Sequence, residues 1–243
     1  MTDAPADRPA LRGAATGGAA PVLAVISPGL LSTVQDIGRP GLEQLGVPSG
    51  GSADPLGLAV ANLVVGNEPG LAALECTLLG PELRALRDVT VGLGGADLGA
   101  HALPGGRTLE SGALHRLLAG EVLAFAGVEP EMGCRAYLAV AGGIDVPEVL
   151  GSRSTSLVGG FGGFEGRALR AGDRLGARPG AAGTAGAVAR WPLDLPLPLH
   201  SVPVRVLVGP DRTNGAGAHA TESLAQLLAG TWIVSHDSDR RGV

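Results

Sequence analysis

Gln35, Asp36 and Arg39 stand within one turn of chain in LSTVQDIGRPG, Leu31 to Gly41. The amide brings two donors and two acceptor sites, the carboxylate accepts, and an arginine fork grips a carboxylate or a phosphate through parallel hydrogen bonds. Gly38 and Gly41 leave room for a ligand to approach the backbone. The same residues admit a local reading, in which Asp36 and Arg39 form an exposed ion pair that pins a turn for well under about 1 kcal/mol. A second stretch, Gly151 to Thr155, sets Arg153 among Ser152, Ser154 and Thr155. It suits an anion cradle or a hydroxyl-rich turn.

Elements must bring such residues together. Val22 to Ile26 and Leu30 to Val34 are short apolar runs separated by Ser27-Pro28-Gly29, so a strand pair opens the ordered part and its second strand delivers Gln35. Asp54-Pro55 predicts a helix start, with Asp54 as N-cap and Pro55 in the first turn, running to a stop at Gly66-Asn67. Losing that cap costs about 1 kcal/mol. From Ala73 to Leu78 the period is two, which turns Glu75 to the face opposite Cys76. Further strands are expected at Val89 to Leu93, Glu121 to Ala126, Cys134 to Val140, Val204 to Val208 and Thr231 to Ser235. A short helix, Ser223 to Leu228 capped by Thr221, precedes the last of these. Many short strands with few helices predict a mainly β fold, barrel-like or sandwich-like, rather than a parallel α/β sheet. The expected division is a disordered tail over 1–20, a first β domain over 21–178, a linker or long loop over 179–200 and the start of a second β region over 201–243.

Composition narrows the chemistry. Hydrophobic residues make up 45% of the chain but aromatic ones only 2%, so the core must be filled by Val, Leu, Ile and Ala. A net charge of -5 gives no electrostatic reason to expect nucleic acid or an anionic membrane surface as a partner. All 18 basic residues are arginine. Without lysine the chain carries no P-loop, no Schiff base and no covalent biotin, and any anion must be met by arginine or backbone N–H groups. Cys76 and Cys134, each in an apolar alternation, read as small core residues of a reducing, cytoplasmic protein. The five histidines show no ligand spacing, so no metal site is expected. Gly215 to Ala220 fits a loose dinucleotide pattern, but its distance from the preceding strand makes a glycine-rich loop the better reading.

Several ordered segments then carry a resemblance. Thr33 to Arg39, Gly46 to Gly50 with Asp54, Ala61-Asn62, Val65 to Asn67, Glu75 with Thr77 and Gly80-Pro81, Arg135 to Asp145, Val149 to Thr155, and Gly166-Arg167 with Gly172-Asp173 together resemble the biotin-dependent carboxyltransferase family. That family takes in the C subunit of 5-oxoprolinase, allophanate hydrolase subunit 2 and the matching part of urea carboxylase. The resemblance implies cyclophilin-like β-barrel architecture, a KipI-like B subunit and an A subunit as partners, and a small amide substrate. The implied reaction is ATP-driven opening of 5-oxo-L-proline to L-glutamate, with ATP at a site shared with the partner subunits. Within these segments Gln35, Asp36 and Glu75 are the catalytic candidates, and Arg39, Arg153, Ser152, Ser154, Thr155, Asp54 and Asn62 the candidates for binding substrate or phosphate. The family also admits a regulatory protein that sequesters a kinase inhibitor, and a carboxyltransferase acting on urea or a related amide. Members continue past the segment Ser238 to Gly242, so the chain is expected to be truncated and its second barrel incomplete.

Overall fold

A computed structural model describes residues 15–16, 18–127, 133–178, 205–207 and 224–233. Two compact units divide the chain, Met1–Leu199 and His200–Val243. In the first, the described residues form twelve strands in order: β1 (Ala15–Thr16), β2 (Pro21–Ser27), β3 (Leu31–Gln35), β4 (Ala73–Thr77), β5 (Glu82–Ala85), β6 (Val89–Gly95), β7 (Ala100–Leu103), β8 (Arg107–Thr108), β9 (Leu114–Leu117), β10 (Val122–Phe125), β11 (Arg135–Val140) and β12 (Arg174–Gly176). A helix, α1 (Pro55–Val64), and a 3-10 turn, Glu43–Leu45, lie between β3 and β4. The fold is mainly β, as the strand pattern predicts.

One sheet runs β1-β12-β2-β5-β10-β7-β8 and the other β3-β4-β11-β6-β9. Every pair is antiparallel except β1 with β12. The period-two alternation does what it should. Leu74 and Cys76 of β4, Val91 and Leu93 of β6, and Leu138 and Val140 of β11 share one core with Leu23, Val25, Leu83 and Leu123 of the other sheet. Each such leucine or valine contributes about 1.5–3 kcal/mol by leaving water.

The opposite face of the five-stranded sheet receives α1. Its Leu58, Ala61 and Val64, with Val65 just after it, pack on Ala73, Tyr137 and Ala139. Two glycines in β6 explain how close the helix comes. A Cβ on Gly94 would stand 2.7 Å from Ala61 N, and one on Gly92 would stand 2.6 Å from Val64 Cγ2. Glycine within a strand is unfavourable unless another backbone must come near, and here one does. Asp54 caps α1 as expected, its Oδ1 accepting from Leu56 N at 3.1 Å and Gly57 N at 3.0 Å.

Three expectations change. Residues 15–16, placed in the tail, pair with Arg174 and Leu175 of β12, and Ala19 N donates to Asp145 Oδ2 at 2.8 Å. No strand forms over 205–207, in the Val204 to Val208 run, or over 231–233, in the Thr231 to Ser235 run. Leu207 is 99% exposed and Ile233 91%, and an apolar alternation becomes a strand only where a neighbour completes its hydrogen bonds and covers a face. Third, Cys134 is exposed rather than a core residue, while Cys76 is buried. A helix does form over 224–229. Thr221, its expected cap, the linker over 179–200 and the Gly215 to Ala220 loop lie outside the described residues. Among the described residues no helix is long and apolar enough to cross a membrane.

Candidate functional site

β3 carries Thr33 and Gln35 on its α1 side, and the chain then turns through residues 36–41. The segment 49–54 returns across this turn. Ser49 O accepts from Arg39 N at 2.7 Å, and Asp36 O accepts from Ser52 N at 2.8 Å. Gly38 and Gly51 make the contact possible. Both have left-handed φ, and a Cβ on either would stand 2.6–2.8 Å from the other segment's backbone. Gly38 therefore serves the chain's own return rather than a ligand, and Gly41 has open space beside it.

The first polar cluster forms where the 148–155 loop meets this turn. Asp36 is buried, and its carboxylate accepts from three donors: Gly38 N at 2.8 Å, Ser152 Oγ at 2.6 Å and Arg153 N at 2.5 Å. Ser152 Oγ also lies 2.8 Å from Ser154 Oγ and accepts from Ser154 N at 2.9 Å. Asp36 thus holds the Ser152–Ser154 loop. It makes no direct pair with Arg39, and the exposed ion-pair reading is set aside. Arg39 is 2% exposed. Its Nη2 donates to Ser154 O at 2.7 Å and its Nε to Val149 O at 3.4 Å, and the guanidinium lies 5.0 Å over the Phe161 ring. Burial holds the guanidinium pKa below its ordinary value, opposed by the charge of Asp36. Gln35 Nε2 donates to Thr33 Oγ1 at 2.9 Å and to Thr155 O at 3.3 Å, and Thr155 Oγ1 donates to Val34 O at 2.9 Å. These bonds sew the loop to β3.

Arg153 behaves differently from Arg39. Its Nη1 pairs with Glu148 Oε2 at 3.0 Å, with both side chains partly exposed. Leu150, in the same loop, holds a left-handed φ of 53°. Strain of this kind persists only where the surroundings fix it.

The second cluster lies on the same face, across β4 and β11. Strand register sets Thr33 opposite Glu75 and Glu75 opposite Tyr137. Glu75, 2% exposed, accepts from Tyr137 Oη at 2.7 Å, Ala53 N at 2.9 Å and Arg135 Nη1 at 3.1 Å. Arg135 Nη1 also donates to Thr77 Oγ1 at 2.8 Å, and Tyr137 Oη accepts from Asp54 N at 2.7 Å. Burial beside Glu75 pushes the Tyr137 hydroxyl pKa well above its ordinary value. The segment 49–54 joins the clusters, since Ser52 N bonds Asp36 while Ala53 N bonds Glu75.

The structure therefore brings Gln35, Asp36, Arg39, Ser152, Arg153, Ser154 and Thr155 to one place, with Glu75 and Asp54 in the adjoining network. Asn62 serves a loop instead. Its Nδ2 donates to Leu71 O at 2.8 Å and its Oδ1 accepts from Asn67 Nδ2 at 2.9 Å. Arg167 likewise binds Asp173 through two bonds of 2.7 and 3.0 Å and braces a turn. Tyr137, Phe161, Ser52 and Gly50 also belong to the site; Tyr137 and Gly50 fall inside segments that carry the family resemblance without a role of their own there, and Phe161 and Ser52 fall in none. The signal for Tyr137 was its scarcity, for it is the chain's single tyrosine. A cleft of about 650 Å³ opens elsewhere, between Ala19, Arg87, Val140 and Arg178, and holds no residue of either cluster.

Comparison with known proteins gives this geometry a context. The family described as carboxyltransferase domain, subdomain A and B, matches residues 45–243. The 5-oxoprolinase C subunit of Escherichia coli (strain K12) is 44% identical over 154 residues, covering 63% of this chain and 48% of that protein. The urea amidolyase of Lachancea kluyveri is 41% identical over 152 residues, 62% of this chain and 8% of that protein. The crystal structure of the K. lactis urea amidolyase superposes with a TM-score of 0.69 at 30% identity, covering 91% of this chain and 14% of the other. The aligned region thus spans about half of the bacterial protein and a small part of the amidolyases.

Proposed function

The chain belongs to the carboxyltransferase-domain family, subdomains A and B, and from that premise we propose that it serves as the C subunit of an ATP-dependent 5-oxoprolinase complex in the cytoplasm. The complex opens the lactam of 5-oxo-L-proline to give L-glutamate. The observation that carries this reading is the 44% identity to a 5-oxoprolinase C subunit. The first polar cluster supports it, because a buried arginine beside a loop of hydroxyls is suited to a small anionic amide.

The roles within the site follow from the bonds. Arg39 is the group that meets an anionic part of the ligand. Asp36 and Gln35 act as positioning residues, since Asp36 spends both oxygens on the Ser152–Ser154 loop and Gln35 Nε2 ties that loop to β3. Glu75 positions the start of α1 through Ala53 N. ATP, when bound, supplies activation of the amide oxygen by phosphorylation. The residues here fit a contact with phosphoryl oxygens through Arg39, whose Nη1 has no partner. Without lysine they make no P-loop of their own, so a lysine-free chain is a poor fit as the sole ATP site. ATP is accordingly assigned to a site shared with the A and B subunits.

The test is glutamate release from 5-oxo-L-proline and ATP by this chain co-expressed with its neighbouring A and B subunits. ATP-dependent release is the expected result. Silence together with carboxylation of urea or a related amide by a biotinylated partner would transfer the chain to the carboxyltransferase branch. Silence with tight capture of the B subunit would make it a regulatory binding protein.

A further inference from the structure

Arg39 is held on two sides and unanswered on the third. Nη2 and Nε donate to Ser154 O and Val149 O, and the Phe161 ring lies against the guanidinium face. Nη1 is buried and meets no hydrogen-bond partner. Asp36 supplies a counter-charge at longer range, but its two oxygens are committed to Gly38 N, Ser152 Oγ and Arg153 N. A buried cation with an idle N–H is costly unless an acceptor reaches it.

What stands over that nitrogen is a residue without a side chain. A Cβ on Gly50 would stand 3.2 Å from Arg39 Nη1 and 3.2 Å from Ser154 Oγ, with no other atom beyond the adjoining residues within 4 Å. Gly50 is itself exposed. Two residues on, Ser52 Oγ is also buried without a partner. Arg39 Nη1 and Ser154 Oγ therefore both lie beside the bare side of Gly50.

We infer that Arg39 Nη1 and Ser154 Oγ receive one oxyanion, a carboxylate or phosphate group, entering past Gly50. The inference rests on the function proposed above for the ligand's identity. The proton positions allow it. Ser152 Oγ gives its proton to Asp36, so the proton between the two serines comes from Ser154. Turning that hydroxyl toward an oxyanion leaves Ser152 Oγ still accepting from Ser154 N at 2.9 Å. Arg153 is outside the receptor, being paired with Glu148.

Isothermal titration of sodium phosphate, acetate and 5-oxo-L-proline into the full chain, alone and in complex with its A and B subunits, tests this. Saturable binding of at least one probe is expected in the wild type. Arg39→Lys, which loses the fork, and Gly50→Ala, which puts a methyl over Nη1, are each expected to weaken binding at least tenfold. Arg153→Gln should stay within twofold. Circular dichroism checks each fold, and Ser154→Ala, expected to weaken binding several-fold, substitutes for any variant that does not fold. Binding of phosphate alone assigns the receptor to a phosphoryl group, and binding of the carboxylates alone assigns it to the substrate's carboxylate. No saturable binding by the folded wild type in either form overturns the inference, as does binding indifferent to Arg39→Lys. Oxyanion binding without glutamate release would leave the receptor standing and remove the 5-oxoprolinase reading. Full glutamate release by Arg39→Lys would do the reverse.

Discussion

Two buried polar clusters share one face of the five-stranded sheet, and they are finished to different degrees. Around Glu75 and Tyr137 no buried side-chain nitrogen or oxygen lacks a partner, whereas around Asp36 and Arg39 three do: Arg39 Nη1, Ser52 Oγ and Arg153 Nε. The closed network uses its polarity to fix β4, β11 and the start of α1 against one another. The open one uses Asp36 and Gln35 to fix a loop and then leaves a guanidinium N–H idle beside it. Polar groups that are buried and satisfied belong to a scaffold, and the idle N–H of Arg39 is where, on the inference above, an oxyanion completes the set.

The sharpest way to break this comparison is to exchange the outcomes of one substitution in each cluster. Glu75→Ala leaves Ala53 N, the Tyr137 hydroxyl and the Arg135 guanidinium without their shared acceptor. It is expected to lower the unfolding free energy by about 3–5 kcal/mol, the range for removing one partner of a buried ion pair. Urea denaturation of the isolated chain measures it. Arg39→Met should do the opposite kind of damage. The change of stability is expected to be below about 1.5 kcal/mol, because a lost hydrogen bond to Ser154 O is offset by relief of the idle N–H. Glutamate release by the complex should fall at least about a hundredfold, equivalent to roughly 2.7 kcal/mol in the barrier. A strongly destabilised Arg39→Met with unaltered turnover per folded complex would dissolve the distinction.

Proton linkage sharpens the scaffold side. Burial raises the pKa of both Tyr137 and Cys76, in each case helped by the charge of Glu75. Above the ordinary values, about 10 for tyrosine and 8.5 for cysteine, the unfolded chain releases these protons while the folded chain keeps them. The unfolded state then binds fewer protons, so stability falls as pH rises, by about 1.4 kcal/mol per pH unit for each group. Below about pH 7 neither contributes an appreciable slope. Tyr137→Phe should therefore flatten the alkaline limb above about pH 10 in a series of urea midpoints, and Cys76→Ala should flatten it from about pH 9. An unchanged limb in both would mean that the two groups are not sealed from solvent.

The sequence made much of the scaffold legible and less of the site. Strands β2, β3, β4, β6, β10 and β11 and helix α1 follow from periodicity and from an Asp-Pro start, signals that depend on neighbours along the chain. Glu75 opposite Cys76 follows from period two. Gly92 and Gly94 are intelligible only once α1 lies on them, since what they accommodate is a backbone remote in sequence. The same holds for Asp36. Its type and place suggested substrate chemistry, but its partners come from residues 152 and 153, which no local rule brings near it. The runs around 206 and 232 failed for the converse reason, because their local pattern is strand-like and no partner supports it among the described residues.

The smallest effect bears on the residue that both clusters touch through one segment. Asp54 caps α1 with its side chain while its backbone N donates to Tyr137 Oη. As a cap, its carboxylate is needed only as an acceptor for Leu56 N and Gly57 N, which a serine hydroxyl also provides. Asp54→Ala is expected to cost about 1 kcal/mol and Asp54→Ser no more than a few tenths, both read from thermal or urea unfolding. If Asp54 instead meets the substrate, Asp54→Ser will keep its stability and raise KM for 5-oxo-L-proline in the assembled complex. A hydroxyl restores a helix cap but cannot replace a charge. Rescue by serine in both measurements would confine Asp54 to the closed network, and rescue of stability alone would extend the open one across the 49–54 segment to the mouth of the helix.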